Sequence, residues 1–237
     1  MTFLKGDLIP MHMRRKNWAM PELTACSYYI PQPETVRGHW HEQFEKKQPL
    51  HVELGCGKGV STAQMVHDHP EINYLAIDVS SNVLGSTRRN IAAVYGEEPV
   101  RNVMLTTLDI GFINQYMAPE DEVERIYIHF CNPWSERKKH AKRRLTHPRQ
   151  LSQYRAFLKV GGEIWFKTDD VPLFEDSIEY FKETGFSIRY ITRDLHADGF
   201  TPNYISEHEK KFTELGMPIH MLIAVKEDVE IAPPRIR

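Results

Sequence analysis

Long apolar runs are missing from this 237-residue chain: the longest, such as Met221 to Val225, fall far short of the roughly 18 residues that a membrane-crossing helix needs. The N-terminus has no basic-then-apolar leader, so a soluble protein with no membrane partner is expected. Cysteine is scarce: Cys26, Cys56 and Cys131 are odd in number, widely spaced and without a C-x-x-C. That excludes a disulfide framework or a structural zinc site and fits a reducing cytoplasm. His39/His41 and His67/His69 bring no further ligands with them, so solvated histidines rather than a metal site are expected. A basic surplus is also lacking, since 30 Lys and Arg face 32 Asp and Glu for a formal charge of −2. Any nucleic-acid contact must therefore come from local clustering of charge. Internal repeats and low-complexity tracts are absent, and a hydrophobic fraction of 41% is that of a globular chain with a substantial core.

The chain divides by texture. Residues 1–50 read as an irregular arm, with Arg14-Arg15-Lys16, Trp18 and scattered prolines. It either docks on the rest or stays loose. A short helix after Gly38 carries Trp40 and Phe44 on one face. Residues 51–226 read as one α/β domain in which short apolar strands alternate with helical segments, the pattern of parallel βαβ units. The strands expected are 51–54, 74–77, 103–105, 125–130 and 163–167, the last after a Gly161-Gly162 turn. Segments 188–191 and 220–225 pair as a closing antiparallel hairpin around a long loop, and residues 227–237 form a tail.

The strongest local signal is Glu53-Leu54-Gly55-Cys56-Gly57-Lys58-Gly59, between a strand and a helix. Glycine there permits positive φ and close approach of backbone to a ligand. The third glycine stands at 59 and Val60 follows, so the dinucleotide spacing G-x-G-x-x-G is not met, and the phosphate-binding G-x-x-x-x-G-K-[ST] is absent. Asp78 falls at the end of the second strand, where a carboxylate accepts from ribose hydroxyls. Asp109 follows the third strand and would reach an adenine amino group in the same way. Either acid could instead cap the helix that follows it. Their shared position at successive strand ends points to an adenosine-type ligand.

The fourth strand runs into Cys131-Asn132-Pro133-Trp134, which puts Asn132 at the mouth where this fold keeps its reacting groups. Residues 137–144 then carry six positive charges in eight positions with no acid. In a chain of net charge −2 this is either a phosphate contact beside the site or a solvated helix face.

E-x-G-x-G-x-G followed by an acid at the end of the second strand resembles the S-adenosylmethionine site of class I methyltransferases. Together with Phe130-Cys131-Asn132-Pro133-Trp134, His140-Ala141-Lys142-Arg143-Arg144-Leu145, Phe166-Lys167-Thr168-Asp169 and Ser206-Glu207-His208-Glu209-x-Lys211-Phe212, it resembles the bacterial tRNA (guanine-N7)-methyltransferases over residues 13–226. The resemblance implies a Rossmann-like, mostly parallel seven-stranded sheet with helices on both faces. It also implies S-adenosyl-L-methionine as cofactor, and tRNA as partner, methylated at N7 of a variable-loop guanosine. By carry-over, Glu53, Gly55, Gly57, Gly59, Asp78, Asp109 and Asn132 line the cofactor site. Asp169 and Asn132 are the catalytic candidates. Arg137 or Lys138, Asp169, and Ser206, Glu207, His208 and Glu209 hold the substrate.

Three departures from the family pattern stand out. Asn132 replaces the usual Asp, Ser206-x-His208-Glu209 replaces Thr-x-Tyr-Glu, and Ser135-Glu136 replaces the Pro-Lys that follows the tryptophan. Guanine N7 has a lone pair in the ring plane and no proton, so positioning and electrostatics rather than a general base must carry the rate. Two alternatives remain at this point. One is a methyltransferase of exocyclic amines, since Asn132-Pro133-Trp134 partly matches the Asn-Pro-Pro-Tyr of such enzymes. The other is a tRNA-binding protein that has lost catalysis.

Overall fold

The computed structural model describes residues 16–135 and 138–231, with Lys138 and Lys139 described by backbone alone. Arg14, Arg15, Arg137 and the end of the tail lie outside the described residues. The strands are β1 (Tyr29–Ile30), β2 (Leu50–Leu54), β3 (Asn73–Asp78), β4 (Val103–Thr107), β5 (Val123–His129), β6 (Leu158–Thr168), β7 (Phe186–Thr192) and β8 (His220–Lys226). They form one sheet in the order β1-β4-β3-β2-β5-β6-β8-β7. Pairing is parallel from β1 to β6, and β8 lies antiparallel between β6 and β7. The expected Rossmann-like fold is present, with a two-residue edge strand from the arm added to the seven strands anticipated.

Why β2 to β6 are strands is legible in their burial. Leu50, Val52 and Leu54 are fully buried, as are Leu75, Ala76 and Ile77, and these apolar runs are bounded by glycine or turn residues. Helices α2 (Val60–Asp68), α3 (Ser81–Tyr95), α4 (Pro148–Phe157) and α5 (Val171–Glu183) cross between the strands. Pro148 and Pro172 stand in the first turns of α4 and α5, where a missing N–H is not needed. Each face of the sheet carries its own apolar cluster, one around Leu50, Ile77 and Phe166, the other around Ala76, Leu84 and Ile223.

Two details differ from the sequence reading, and a third decides between the alternatives it left open. The Gly161-Gly162 pair is not a turn before a strand but an irregularity inside β6, where the register with β5 slips between Val123 and Arg125. The helix expected beyond Gly38 is a single 3-10 turn over Trp40–Gln43, and Phe44 is already extended. Among the described residues the arm docks on the domain: α1 (Ala19–Thr24) lies on α3, with Ala19 so close to Gly85 that a side chain at Gly85 would meet it at 2.8 Å. Trp18 is held by the Arg89 guanidinium 3.4 Å above its ring. No helix among the described residues is long and apolar enough to cross a membrane.

Candidate active site

The glycine loop leaves β2 with Gly55, Gly57 and Gly59 all at positive φ, between +60° and +81°. A Cβ at Gly55 or Gly57 would meet nothing within 4 Å, whereas one at Gly59 would collide with Thr87 Cγ2. Glycine is thus needed at 59 for packing against α3, and at 55 and 57 for conformation beside open space. Thr87 Oγ1 donates to Gly57 O at 2.7 Å and fixes the loop on α3.

Asp78 ends β3. Its carboxylate accepts from Gly57 N at 3.1 Å and from Ser80 N at 2.8 Å, so it braces the loop and begins α3 at once. Burial pushes its carboxyl up against those hydrogen bonds. Asp109, beyond β4, accepts from Gly111 N at 2.8 Å and caps a 3-10 helix while staying exposed. The capping alternative therefore describes part of both acids' environment, but both also line one cavity of about 650 Å³ together with Gly55 and Asn132. Val79, 68% exposed, and Phe112, 49% exposed, line that cavity too, two apolar surfaces left in water where a flat ring would cover them.

Glu53 is buried beneath the loop. Its Oε2 accepts from Thr62 Oγ1 at 2.6 Å, and its Oε1 lies 3.9 Å from His129 Nδ1. Burial pushes the carboxyl up, opposed by the Thr62 hydrogen bond and the Lys167 charge. His129 is driven well below its usual value by burial and by Lys167, so it stands neutral beside Glu53.

The segment after β5 is strained. Phe130 and Trp134 adopt φ of 53° and 49°, values uncommon for bulky residues. Between them Asn132 Oδ1 accepts from Trp134 N at 2.9 Å, and Arg144, drawn from the basic run, donates from Nε to Pro133 O at 2.7 Å. Arg144 is buried and paired with Asp176, so it pins this segment and is not a free phosphate contact. Lys142, Arg143 and Arg149 do face the 650 Å³ cavity. The side chain of Lys138 lies outside what is described.

At the end of β6, Asp169 Oδ1 lies 3.0 Å from His208 Nε2. Burial raises the Asp169 carboxyl most strongly, but the His208 hydrogen bond, a backbone hydrogen bond and the neighbouring histidines together outweigh it and leave the group below its usual value. His208 sits on α7 (Glu207–Glu214), its ring packed between Phe130 and Phe212 at centroid distances of 4.7 and 4.3 Å. Ser206 caps α7, its Oγ accepting from Glu209 N at 3.1 Å, and Glu207 bridges to Lys58 of the glycine loop at 2.7 Å. Ser206, Glu207 and His208 share a cavity of about 220 Å³ with Glu53 and the three glycines.

Glu209 is not on that wall. It is fully buried, bonded to Lys167, Asn203 and His196. The sequence reading also missed an adjoining cavity of about 240 Å³, walled by Tyr74, Tyr127, Trp165 and Tyr204, that shares Glu53 and His129 with the loop. The alternation Arg125-x-Tyr127-x-His129 beside Glu163-x-Trp165-x-Lys167 was the available signal, since it puts polar groups on one sheet face.

Residues 47–222 match the family model described as "Putative methyltransferase". A tRNA (guanine-N(7)-)-methyltransferase of Clostridium botulinum is 53% identical over 220 residues, covering 92% of this chain and 100% of the relative. The chain belongs to the tRNA (guanine-N7)-methyltransferase family. The namesake protein of Clostridium beijerinckii is 50% identical, again over 92% of this chain and 100% of its own. Among solved structures, the 16S rRNA methyltransferase KamB superposes with a TM-score of 0.54 at 10% identity, covering 83% of this chain and 91% of that one, a likeness of fold alone. This family member is accordingly an enzyme on a methyltransferase fold.

Proposed function

We propose that this tRNA (guanine-N7)-methyltransferase takes the methyl group of S-adenosyl-L-methionine and places it on N7 of the variable-loop guanosine, position 46 in tRNA convention. The observation that carries this reading is the convergence, at the ends of β2 to β6, of an open glycine loop, two acids at successive strand ends and the Asp169–His208 pair.

The cofactor site fits its group. Gly55 and Gly57 leave space where any side chain would intrude, and Val79 and Phe112 offer apolar faces for an adenine. Asp78 still has lone pairs for ribose hydroxyls, and Asp109 stands where an exocyclic amine would point. Glu53 Oε1, not fully engaged by His129, receives the ammonium of the methionine end. Asn132 lines the same cavity as Asp78 and Asp109. When bound, the cofactor supplies an electrophilic methyl on a sulfonium.

The chain's own task is then to bring N7 into line. Asp169, ionised and held on one oxygen by His208, accepts hydrogen bonds from guanine through the other and stabilises the positive charge that grows on the ring. No residue needs to remove a proton. Ser206, Glu207 and His208 wall the entry, and Lys142, Arg143 and Arg149 offer charge to phosphates. Arg137 and Lys138 extend the same basic run in sequence. The exocyclic-amine alternative asks Asn132 Oδ1 to accept from a substrate amine, and that oxygen already accepts from Trp134 N.

The test is incubation with labelled S-adenosylmethionine and an unmodified tRNA transcript, followed by nucleoside analysis. Labelled 7-methylguanosine, lost when the variable-loop guanosine is replaced, is the expected result. Label on another base, or tRNA binding without any label, overturns the reading.

A further inference from the structure

The stretch between β7 and β8, residues 193–219, carries Ser206, Glu207 and His208 to the mouth of the site, and its aromatic residues Phe200, Tyr204 and Phe212 reach the core only partly buried. Three of its residues are buried: Leu195 and Ile219 at its two ends, and Glu209 between them. Leu195 N donates to Ile219 O and closes the base of the stretch. Within α7, Glu209 is the one buried residue, while Phe212 packs only partly buried against the core, so the deepest anchor of the helix that walls the cleft is a carboxylate. An apolar anchor is what amphipathic helices ordinarily use.

The partner of that carboxylate is Lys167, itself buried on β6. Its ammonium donates to Glu209 Oε2 at 2.7 Å, to Asn203 Oδ1 at 2.9 Å and to Tyr204 O at 3.2 Å, which uses all three of its protons. The other oxygen of Glu209 accepts from Asn203 Nδ2 at 2.7 Å and lies 3.1 Å from His196 Nε2. One buried ion pair thus ties the sheet to α6 (Leu195–Asp198), to the 203–204 turn and to α7. Lys167 also underlies the Phe130 ring, 5.8 Å from its centroid, and that ring packs on His208.

We infer that Lys167 and Glu209 are positioning residues, a latch that holds α7 so that His208 meets Asp169 and Glu207 meets the glycine loop. Glu209 does not touch the guanosine; it acts through the helix. The chemistry suits the task, because a buried pair stabilises little compared with apolar packing but admits one geometry, and breaking it leaves a lone buried charge. The turnover part of this inference rests on the tRNA-methylation reading, whereas the coupling of Lys167 to α7 does not.

The experiment compares the full chain with Lys167→Met, Glu209→Leu and the double variant Lys167→Met/Glu209→Leu. Hydrogen exchange over residues 203–214, S-adenosylmethionine affinity by calorimetry, and kcat and KM on a tRNA transcript are read for each. Each single variant should raise exchange over 203–214 and lower kcat/KM by roughly a hundredfold, the usual cost of a misplaced group, with cofactor affinity largely kept. The double variant, with no unpaired buried charge, should regain thermal stability and be no slower than the worse single, while exchange stays raised. Losses that multiply in the double variant overturn the latch. So does a loss of turnover at Glu209 with unchanged exchange, which would make Glu209 a substrate contact. Restored wild-type turnover in the double variant, or lowered melting temperatures with unchanged kcat/KM, would reduce the pair to structural support. Should the unaltered enzyme fail to methylate tRNA, the function reading falls while exchange and stability still report on the latch.

Discussion

His208 and Asp169 meet at 3.0 Å from two elements that share no sequence neighbourhood, the first turn of α7 and the end of β6. The contact engages one carboxylate oxygen, Oδ1. On the proposed function, His208 thereby fixes the acid that orients the base before substrate arrives, and preorganised charge of this kind costs nothing to rearrange in the transition state.

Replacing Asp169 by Asn should lower methyl transfer on the order of a hundredfold while cofactor affinity hardly changes. The Asp169 carboxyl lies below its usual value, so its charge is present above the ordinary carboxylate range and lost only as pH falls through the lower, folded value. The ratio of wild-type to Asp169→Asn rates should therefore stay constant from mildly acidic to alkaline pH. A ratio that collapses towards one below neutrality would contradict this, and rates measured across that range decide it.

The three loop glycines should fail in different ways. Gly57→Ala pays about 1 kcal/mol for a left-handed conformation and intrudes on the cofactor, so calorimetry should show weaker S-adenosylmethionine binding with a small drop in melting temperature. Gly59→Ala also collides with Thr87, so its melting temperature should fall further, and a second change, Thr87→Ser, should recover part of the difference. Equal melting temperatures for the two single variants would be evidence against this division of roles.

Asp121, fully buried, accepts from the backbone N–H of Gly38 at 3.1 Å, Trp40 at 3.1 Å and Ala118 at 2.7 Å. Asp121→Ala leaves those donors without a partner and should cost about 3 kcal/mol in denaturant unfolding. Trp40, fully buried beside it, gives the fluorescence signal. A cost within error of zero would mean that water replaces the carboxylate.

Acid should weaken the fold through His51. Burial first, then Arg125, holds its imidazole down at about 3, far below the ordinary 6.5. A depressed histidine stays neutral when folded but takes a proton when unfolded, so its share of stability is whole above pH 6.5 and is lost as pH falls towards 3, with an upper bound of about 5 kcal/mol. His51→Gln should flatten the fall in melting temperature between neutral and mildly acidic pH. An unchanged slope would assign the effect elsewhere, for instance to His129, another imidazole that burial holds down.

The frame of the enzyme was open to reading because β2, the glycine loop and β3 each carry a local signal: a run of buried apolar residues, glycines where φ turns positive, and an acid at a strand end. The pairing of β7 with β8 was legible for the same reason. Other features have no local signal. Tyr29–Ile30 is too short to show a period, and its role comes from a neighbour far along the chain. Asp121 sits among Glu120 and Glu122, and nothing in that acidic triplet says which member turns inward. Glu209 looked like part of a substrate-facing stretch because α7 presents one large apolar residue, Phe212, too little to fix which side of the helix is buried.

The edge strand β1 has a consequence in time. Tyr29 and Ile30 pair with Leu105 and Thr106, and Thr106 Oγ1 donates to Ile30 O across a sequence separation of 76 residues. A growing chain leaves the ribosome with this arm well before its partner strand exists, so the early segment must wait, unplaced, while β2, β3 and β4 are made and paired. The part of the protein synthesised ahead of the sheet completes one outer border of that sheet, and the arm that carries Trp18 reaches its seat on α3 only after the wall beside the glycine loop is built.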